Sequence, residues 1–258
     1  MKWQFNSFAQ TDLGLVRTGN EDSAIKSANL IAVADGMGGH AGGEVASAIA
    51  INALEQLLPV ITDLAVDTAS GEDLFLNITH EIDAQILEKS KQLPELSGMG
   101  TTLTALAIFE NNVELLHIGD SRCYRWRDNK LEQLSYDHTV MQELLDQGRL
   151  TPDEVINHPQ RSLLTQALMG DSGIDPILVS YEIKKGDQFL ICSDGLSNVL
   201  SEYEIVKIIE SNQVDAIVPA LIAEVKLKGA PDNITIIWSQ IVDKKGNQAV
   251  VKIGAANE

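Results

Sequence analysis

Cysteine and positive charge are both scarce in this sequence, and each shortage excludes a class of protein. Only Cys123 and Cys192 occur, far apart and each within an apolar stretch, which argues against a disulfide framework and against a CxxC metal or redox site. Lys and Arg number 19 against 37 Asp and Glu, a formal net charge of −18. Surfaces that bind nucleic acid or anionic membranes need clustered Lys and Arg, so we expect neither partner. Core thiols fit a reducing cytoplasm.

Long apolar runs are also missing. The first ten residues, MKWQFNSFAQ, lack the segments of a secretion signal, and no apolar run approaches the ~18 residues that a membrane-spanning helix needs. The chain has 258 residues, 44% of them hydrophobic, and no repeat or low-complexity linker divides it. We therefore expect a cytoplasmic monomer, with one domain over residues 1–242 and a flexible tail over residues 243–258.

The apolar pattern predicts helix pairs that are separate from runs of strands. Apolar residues recur at helical spacing over Gly43–Leu58, where Pro59 is expected to end the helix, and again over Glu72–Leu93. Strand-like segments are joined by short turns at residues 110–112 and 128–129, so we expect them to pair antiparallel. This order indicates an α+β protein in which helices cover antiparallel sheets.

Three apolar strand segments end on aspartate. They are IAVAD at Asp35, LLHIGD at Asp120 and FLICSD at Asp194, and a fourth carboxylate, Asp232, precedes the last strand in APDNIT. Carboxylates gathered at one end of a core cost several kcal/mol to bury unless a cation cancels their charge. An all-oxygen ligand set favours Mg²⁺ or Mn²⁺, and a pair of such ions activates water for phosphoryl transfer.

Two features of this pattern also have plainer explanations. Asp before Gly is a common turn signature, so each of the four aspartates taken alone is more often a turn residue than a ligand. Their shared position at strand ends favours the metal site. In the segment RTGNEDS, a guanidinium could bind phosphate, but from spacing alone the favoured interpretation is a solvated loop where Arg17 pairs with Glu21 or Asp22.

The order of short motifs resembles a known family. From about Ser7 to Val242 the chain is similar to the bacterial metal-dependent protein phosphatases of type 2C, the PPM family, in RTGNED, VADGMGGHAGGEVAS, GMGTTLTAL, HIGDSRCYRWR, HPQRSLLTQALMG, ICSDGLSN and APDNIT. The resemblance implies a four-layer α-β-β-α sandwich of two antiparallel sheets flanked by helix pairs. It also implies hydrolysis of phosphoserine and phosphothreonine in proteins, opposing a Ser/Thr kinase in bacterial signalling.

The resemblance implies a dinuclear Mn²⁺ or Mg²⁺ centre. Asp35 corresponds to the carboxylate that bridges both ions, and the Gly36 carbonyl to a ligand of one of them. Asp194 and Asp232 correspond to ligands of the other ion. In bacterial relatives an aspartate at the position of Asp120 helps to hold a weaker third ion.

Further roles follow from the same resemblance. Arg17 takes the place of the phosphate-binding arginine, which reverses the interpretation from spacing, and Glu21 and Asp22 resemble the outer acids that orient water at the metals. Residues 158–162 correspond to a flap beside the active site. Met37 stands where eukaryotic relatives carry a histidine proposed as the proton donor, so we favour water at the metals as the acid, ahead of His40.

Two other functions use the same residues. A two-metal phosphodiesterase would share the carboxylates, but it should show a basic substrate groove, which the charge of −18 opposes. A non-catalytic pseudophosphatase that acts as an interaction module should have lost a ligand. Neither the phosphate-binding arginine nor any of the metal-binding aspartates is missing from this sequence.

Overall fold

The chain forms two stacked antiparallel sheets in a computed structural model that describes residues 2–39, 41–63, 68–155, 158, 160–171, 173–244 and 248–257. The strands of this part are β1 (Trp3–Asp12), β2 (Asp22–Lys26), β3 (Leu30–Met37), β4 (Gly100–Thr101), β5 (Leu103–Phe109), β6 (Asn112–Ile118), β7 (Arg122–Arg127), β8 (Lys130–Gln133), β9 (Ile177–Glu182), β10 (Gln188–Cys192), β11 (Ile234–Asp243) and β12 (Val251–Gly254). Sheet I has the order β1-β11-β10-β7-β8. Sheet II has the order β12-β2-β3-β5-β6-β9, and β4 pairs with β3.

Helices cover the outer face of each sheet. The helices of the described chain are α1 (Ala41–Asp63), α2 (Thr68–Gln92), α3 (Val140–Asp146), α4 (Pro152–Val155), α5 (Asp194–Ser197), α6 (Glu202–Ser211) and α7 (Ile217–Leu227). Side chains of α1 and α2 share an apolar core with sheet II, and those of α6 and α7 share one with sheet I. A third core between the sheets contains Phe5 and Phe189, whose rings meet edge-on at 6.4 Å. The predicted α-β-β-α sandwich is confirmed.

Helix α1 differs from its prediction in length and in hydropathy. Pro59 was expected to end it, but the helix continues to Asp63 with the proline inside. Pro59 is exposed, so the carbonyl that loses its intrahelical donor can turn to water. By length and composition alone, Ala41–Thr62 could also cross a membrane, with a mean hydropathy of 1.5. In this structure α1 is a layer of the domain, and Ala46, Ala50 and Leu54 are buried in its core with sheet II.

The prediction of a flexible tail after residue 242 is wrong for its last part. Strand β12 pairs antiparallel with β2, from Val251 opposite Lys26 to Gly254 opposite Ser23. The Ala256 N–H then donates to the Ser23 Oγ at 3.0 Å. The edge of β2 would otherwise leave backbone N–H and C=O groups without partners, and β12 supplies them. Residues 245–247 of the predicted tail lie outside the described residues.

Candidate active site

One pocket at the end of the sandwich receives residues from both sheets. Its volume is about 690 Å³, and seven of the predicted site residues line it: Arg17, Glu21, Asp35, Gly36, Asp120, Asp194 and Asp232. Asp35 and Gly36 lie in β3 of sheet II, whereas Asp194 follows β10 of sheet I and opens α5. The site therefore exists only where the two sheets meet.

The eighth predicted residue, Asp22, lies behind the pocket. The sequence pattern assigns it to a polar loop, but it begins β2 and is paired in register with Asp35 on β3. Its side chain is buried, and Ser193 Oγ donates to its Oδ2 at 2.8 Å. Its Oδ1 is also buried, and it has no hydrogen-bond partner among the described residues. A buried carboxylate oxygen of this kind is costly unless a positive charge is near.

Burial and mutual repulsion raise the pKa values of the carboxyl groups at this site. Burial raises the pKa of Asp35 well above its usual range, and the charges of Asp22 and Asp194 raise it further. Burial, followed by the charge of Asp232, raises the pKa of Asp194 to about 6. The pKa of Asp22 rises to about 7, chiefly because of its burial. Asp120 shows the same upward shift, first from burial and then from Asp194.

These shifts fit a site for divalent cations. Buried and partly buried carboxyl groups this close together hold protons or repel one another in the absence of a cation, and an all-oxygen donor set suits Mg²⁺ or Mn²⁺. Within the described ranges, no three His, Cys, Asp or Glu side chains form a closed group around one position. Asp35, Asp194 and Asp232 are thus neighbours in one pocket without a finished ligand shell.

Arg17 is held by Asp232, not by the acids of its own loop. Its Nη2 lies 2.7 Å from Asp232 Oδ2, in an ion pair whose side chains are 50% and 32% exposed. The sequence could not reveal this partner, which is 215 residues away. The pair places a half-exposed guanidinium at the mouth of the pocket, beside one of the predicted metal ligands.

Asn233 anchors the loop of residues 13–21, called here the N-terminal loop. Its Oδ1 accepts from the Glu21 N–H at 2.9 Å, and its Nδ2 donates to the carbonyls of Leu13 and Gly19, both at 3.0 Å. One amide side chain thereby fixes the loop that carries Arg17. The motif APDNIT predicted a role for its aspartate, but it did not predict this role of the neighbouring asparagine.

Two threonines hold the backbone of Asp35. The Asp35 N–H donates to Thr102 Oγ1 at 3.0 Å, and Thr101 Oγ1 donates to the Asp35 carbonyl at 3.0 Å. The Thr102 hydroxyl also lies 2.9 Å from the hydroxyl of Ser121, next to Asp120. These side chains connect two predicted metal ligands. In the sequence, these threonines belong to the motif GMGTT, but nothing in the spacing of that motif predicts that they bind the backbone of Asp35.

The backbone of the pocket is packed too closely for side chains at two glycines. A Cβ on Gly36 would lie 2.1 Å from the Gly43 carbonyl oxygen, and a Cβ on Gly195 would lie 1.9 Å from that of Asn233. Contacts this short are excluded, so both positions require glycine. Gly195 follows Asp194, and Asn233 follows Asp232. The second contact therefore places these two aspartates close together in the pocket.

The far wall of the pocket is long and irregular. Residues 162–167, 169, 171, 173 and 174 contribute to it. Ser162 belongs to the predicted flap, whereas Pro159 of the flap lies outside the described residues, as does His40. Met37 also lines the pocket, and a thioether cannot donate a proton.

A comparison with known families decides the relationship of this chain. Residues 18–216 match the family model of protein phosphatase 2C. The chain belongs to the protein phosphatase 2C family. Among curated members, it is 43% identical over 238 residues to the serine/threonine protein phosphatase PstP of Mycobacterium tuberculosis, covering 91% of this chain and 45% of PstP. The chain thus spans less than half the length of that phosphatase 2C relative.

Another phosphatase 2C relative is covered almost completely. The serine/threonine phosphatase stp of Listeria monocytogenes is 34% identical over 250 residues, which are 93% of this chain and 98% of stp. Among solved structures, the catalytic domain of PstP in complex with two manganese ions has a TM-score of 0.84 and 39% identity, covering 93% of this chain and 100% of that chain. The phosphatase 2C fold therefore extends over nearly the whole chain.

Proposed function

We propose that this protein hydrolyses phosphoserine and phosphothreonine in proteins with the help of two divalent metal ions. The observation that carries the proposal is the single pocket in which both sheets bring together the predicted ligands and Arg17. The names of the relatives and the two manganese ions in the PstP structure support it.

Four residues would hold the two ions. They are Asp35 through its carboxylate, Gly36 through its carbonyl, and Asp194 and Asp232 through their carboxylates. Asp120 is our candidate for a third ion, shared with Asp194. When bound, Mn²⁺ or Mg²⁺ supplies activation of a water molecule and neutralises charge on the phosphoryl group.

The side chains around these ligands would bind the substrate phosphate and orient the attacking water. Arg17 must exchange Asp232 for two oxygens of the substrate phosphate, which a planar guanidinium can contact bidentately. Glu21 lines the pocket and would orient the attacking water, with the buried Asp22 behind it. Since Met37 is not an acid, the leaving oxygen would take its proton from water.

The biological setting is a wider proposal. The relatives support phosphoprotein substrates, and we propose that a Ser/Thr kinase is among them. We also propose a cytoplasmic monomer. The net charge of −18 supports the part of this proposal that excludes binding to nucleic acid and to anionic membranes.

The proposal predicts an activity that requires the metal and that is higher on phosphate monoesters than on a diester. We expect the purified protein to hydrolyse p-nitrophenyl phosphate and a phosphothreonine peptide in Mn²⁺, and to lose this activity in EDTA. Bis-p-nitrophenyl phosphate should be a poor substrate, and faster cleavage of this diester would favour a phosphodiesterase. Calorimetry should detect bound Mn²⁺. Protein that binds Mn²⁺ but cleaves none of these esters would favour a pseudophosphatase.

A further inference from the structure

A second groove adjoins the active-site pocket on the side of the N-terminal loop. It has a volume of about 510 Å³ and shares Arg17, Glu21 and Gly39 with the pocket. A peptide whose phosphorylated residue enters the pocket therefore has a neighbouring cavity for an adjacent side chain. Successive residues of an extended peptide are spaced by about 3.3–3.6 Å, so a residue next to the phosphorylated one can reach a groove that shares wall residues with the pocket.

The walls of this groove differ in chemistry. Val16 lines one side and is 68% exposed, although it is a large apolar residue. Glu44, in the first turn of α1, lines the other side, and its carboxylate lies so close to Gly19 that a Cβ there would be 2.8 Å from Oε1. Within the described part of the chain, no lysine or arginine forms an ion pair with Glu44.

These walls match the side chains of lysine and arginine. Both have an aliphatic stem that packs on apolar surface and a cationic end that seeks an acceptor. Among the described residues that line the groove, Arg17 carries the positive charge, and it is already paired with Asp232 in this structure and would be paired with phosphate in the proposed reaction. An acidic substrate side chain would meet Glu44 with the same sign of charge, on a chain whose net charge is −18.

We propose that the groove is a subsite for a lysine or arginine that flanks the phosphorylated residue of the substrate, with its stem on Val16 and its cation at Glu44. This inference rests on the proposed phosphatase activity and adds a sequence preference to it. It makes Glu44 and Val16 determinants of specificity, whereas the carboxylates of the pocket serve every substrate.

The test compares three phosphothreonine peptides that differ only in the residues flanking the phosphothreonine, which are Lys, Ala or Glu. The wild-type protein should prefer the Lys peptide to the Ala peptide by roughly two- to five-fold in kcat/KM, as expected for a partly exposed ion pair. The preference should lie mainly in KM and should shrink as salt is added. Peptides with one Lys, placed before or after the phosphothreonine, identify the side that enters the groove.

Two variants of Glu44 decide the origin of the preference. Glu44→Gln should abolish the Lys preference, and Glu44→Lys should reverse it in favour of the Glu peptide. Glu88→Gln, which changes an exposed glutamate of α2, is the matched control and should keep the wild-type ratio. p-Nitrophenyl phosphate has no flanking residues, so it reports whether each variant is folded and active.

The outcomes separate this proposal from the one on which it rests. Equal kcat/KM values for the Lys and Ala peptides in an active wild-type protein would overturn the subsite, as would a Lys preference that survives in Glu44→Gln. A wild-type protein that is inert on p-nitrophenyl phosphate and on all peptides would instead overturn the proposed phosphatase activity.

Discussion

The floor and the rim of the active-site pocket are built in different ways. The floor carries Asp35 and Asp194, which are partly buried and belong to strand β3 and to the junction of β10 with α5. The rim carries Arg17 on the N-terminal loop, with its side chain half exposed. The carboxylates of the floor are held in place by two sheets, which suits the chemical step that all substrates share. The arginine of the rim lies on an exposed loop, which suits the binding of substrate. The difference predicts that changes in the floor remove activity, whereas changes in the rim weaken the binding of substrate.

The strongest test of the floor is the loss of one carboxylate. Asp194→Ala should lower kcat for p-nitrophenyl phosphate by roughly 10³-fold, because a metal ligand and the charge stabilisation that depends on it are lost together. Asp215→Ala, at an exposed position between α6 and α7, is the control and should be fully active. An Asp194→Ala protein that kept a large part of its activity would show that this carboxylate holds no essential ion.

A second test shifts the backbone of the floor and leaves all of the proposed metal ligands in the sequence. Gly195→Ala places a methyl group 1.9 Å from the Asn233 carbonyl oxygen, so the backbone beside Asp194 must shift. We expect a loss of about 1–3 kcal/mol in the free energy of unfolding, with a large loss of kcat. Gly173→Ala is the control for stability alone, since a Cβ there meets no atom of the described residues within 4 Å, although residue 173 belongs to the wall of the pocket. Equal stability of both variants in urea unfolding would contradict the close packing at Gly195.

The rim should respond differently. Arg17→Ala should raise KM for a phosphopeptide by roughly 10-fold or more while Mn²⁺ still binds, because one charged hydrogen-bonding partner of the phosphate is lost. Arg17→Lys should recover only part of this loss, since an ammonium cannot form the bidentate contact. Steady-state kinetics and Mn²⁺ calorimetry measure both effects. An unchanged KM in Arg17→Ala would remove Arg17 from the phosphate site.

A smaller effect concerns the stability of the metal-free floor. A buried acid with a raised pKa binds more protons in the folded than in the unfolded protein, so the free energy of unfolding falls as pH rises between the two pKa values. Asp194 and Asp22 have pKa values of about 6 and about 7, against 3.8 for an ordinary aspartate. Metal-free protein should therefore lose stability from pH 4 to pH 7.

The difference in Tm between Mn²⁺-loaded and EDTA-treated protein is the cleanest readout of this effect. Burial lowers the pKa of His117 to about 3, which gives an opposite trend below pH 6.5, but both samples contain that contribution. We expect this difference in Tm to increase by at least about 4 °C between pH 5 and pH 7.5. A difference in Tm that stays constant over this interval would show that the carboxyl groups titrate normally in the metal-free protein.

The sequence predicted the floor better than the rim for a physical reason. Strand alternation and aspartates at strand ends are local patterns, and they identified the layers of the fold and the aspartates that we propose as metal ligands. The ion pair of Arg17 with Asp232 and the anchoring of the loop by Asn233 join segments more than 200 residues apart. No spacing within a motif encodes such contacts, and the role that we propose for Arg17 came from the resemblance to a family instead.

Two errors in the fold have the same origin. The pairing of β12 depends on a free edge of β2, which lies far away in the sequence. The mixed composition of the last residues gave no strand signal by itself. The assignment of Asp22 to a loop failed because its burial depends on β3 and on Ser193, not on its polar neighbours in the chain.

The pairing of β12 also determines where the chain can be shortened. Gly254 lies against the backbone of Asp22, since a Cβ there would be 2.1 Å from the Asp22 carbonyl oxygen. A fragment that stops at residue 242 would lose this cover and expose the edge of β2 to other molecules. Open sheet edges recruit strands from neighbouring chains. Such a fragment should aggregate on concentration, whereas one that ends after residue 257 should remain dispersed.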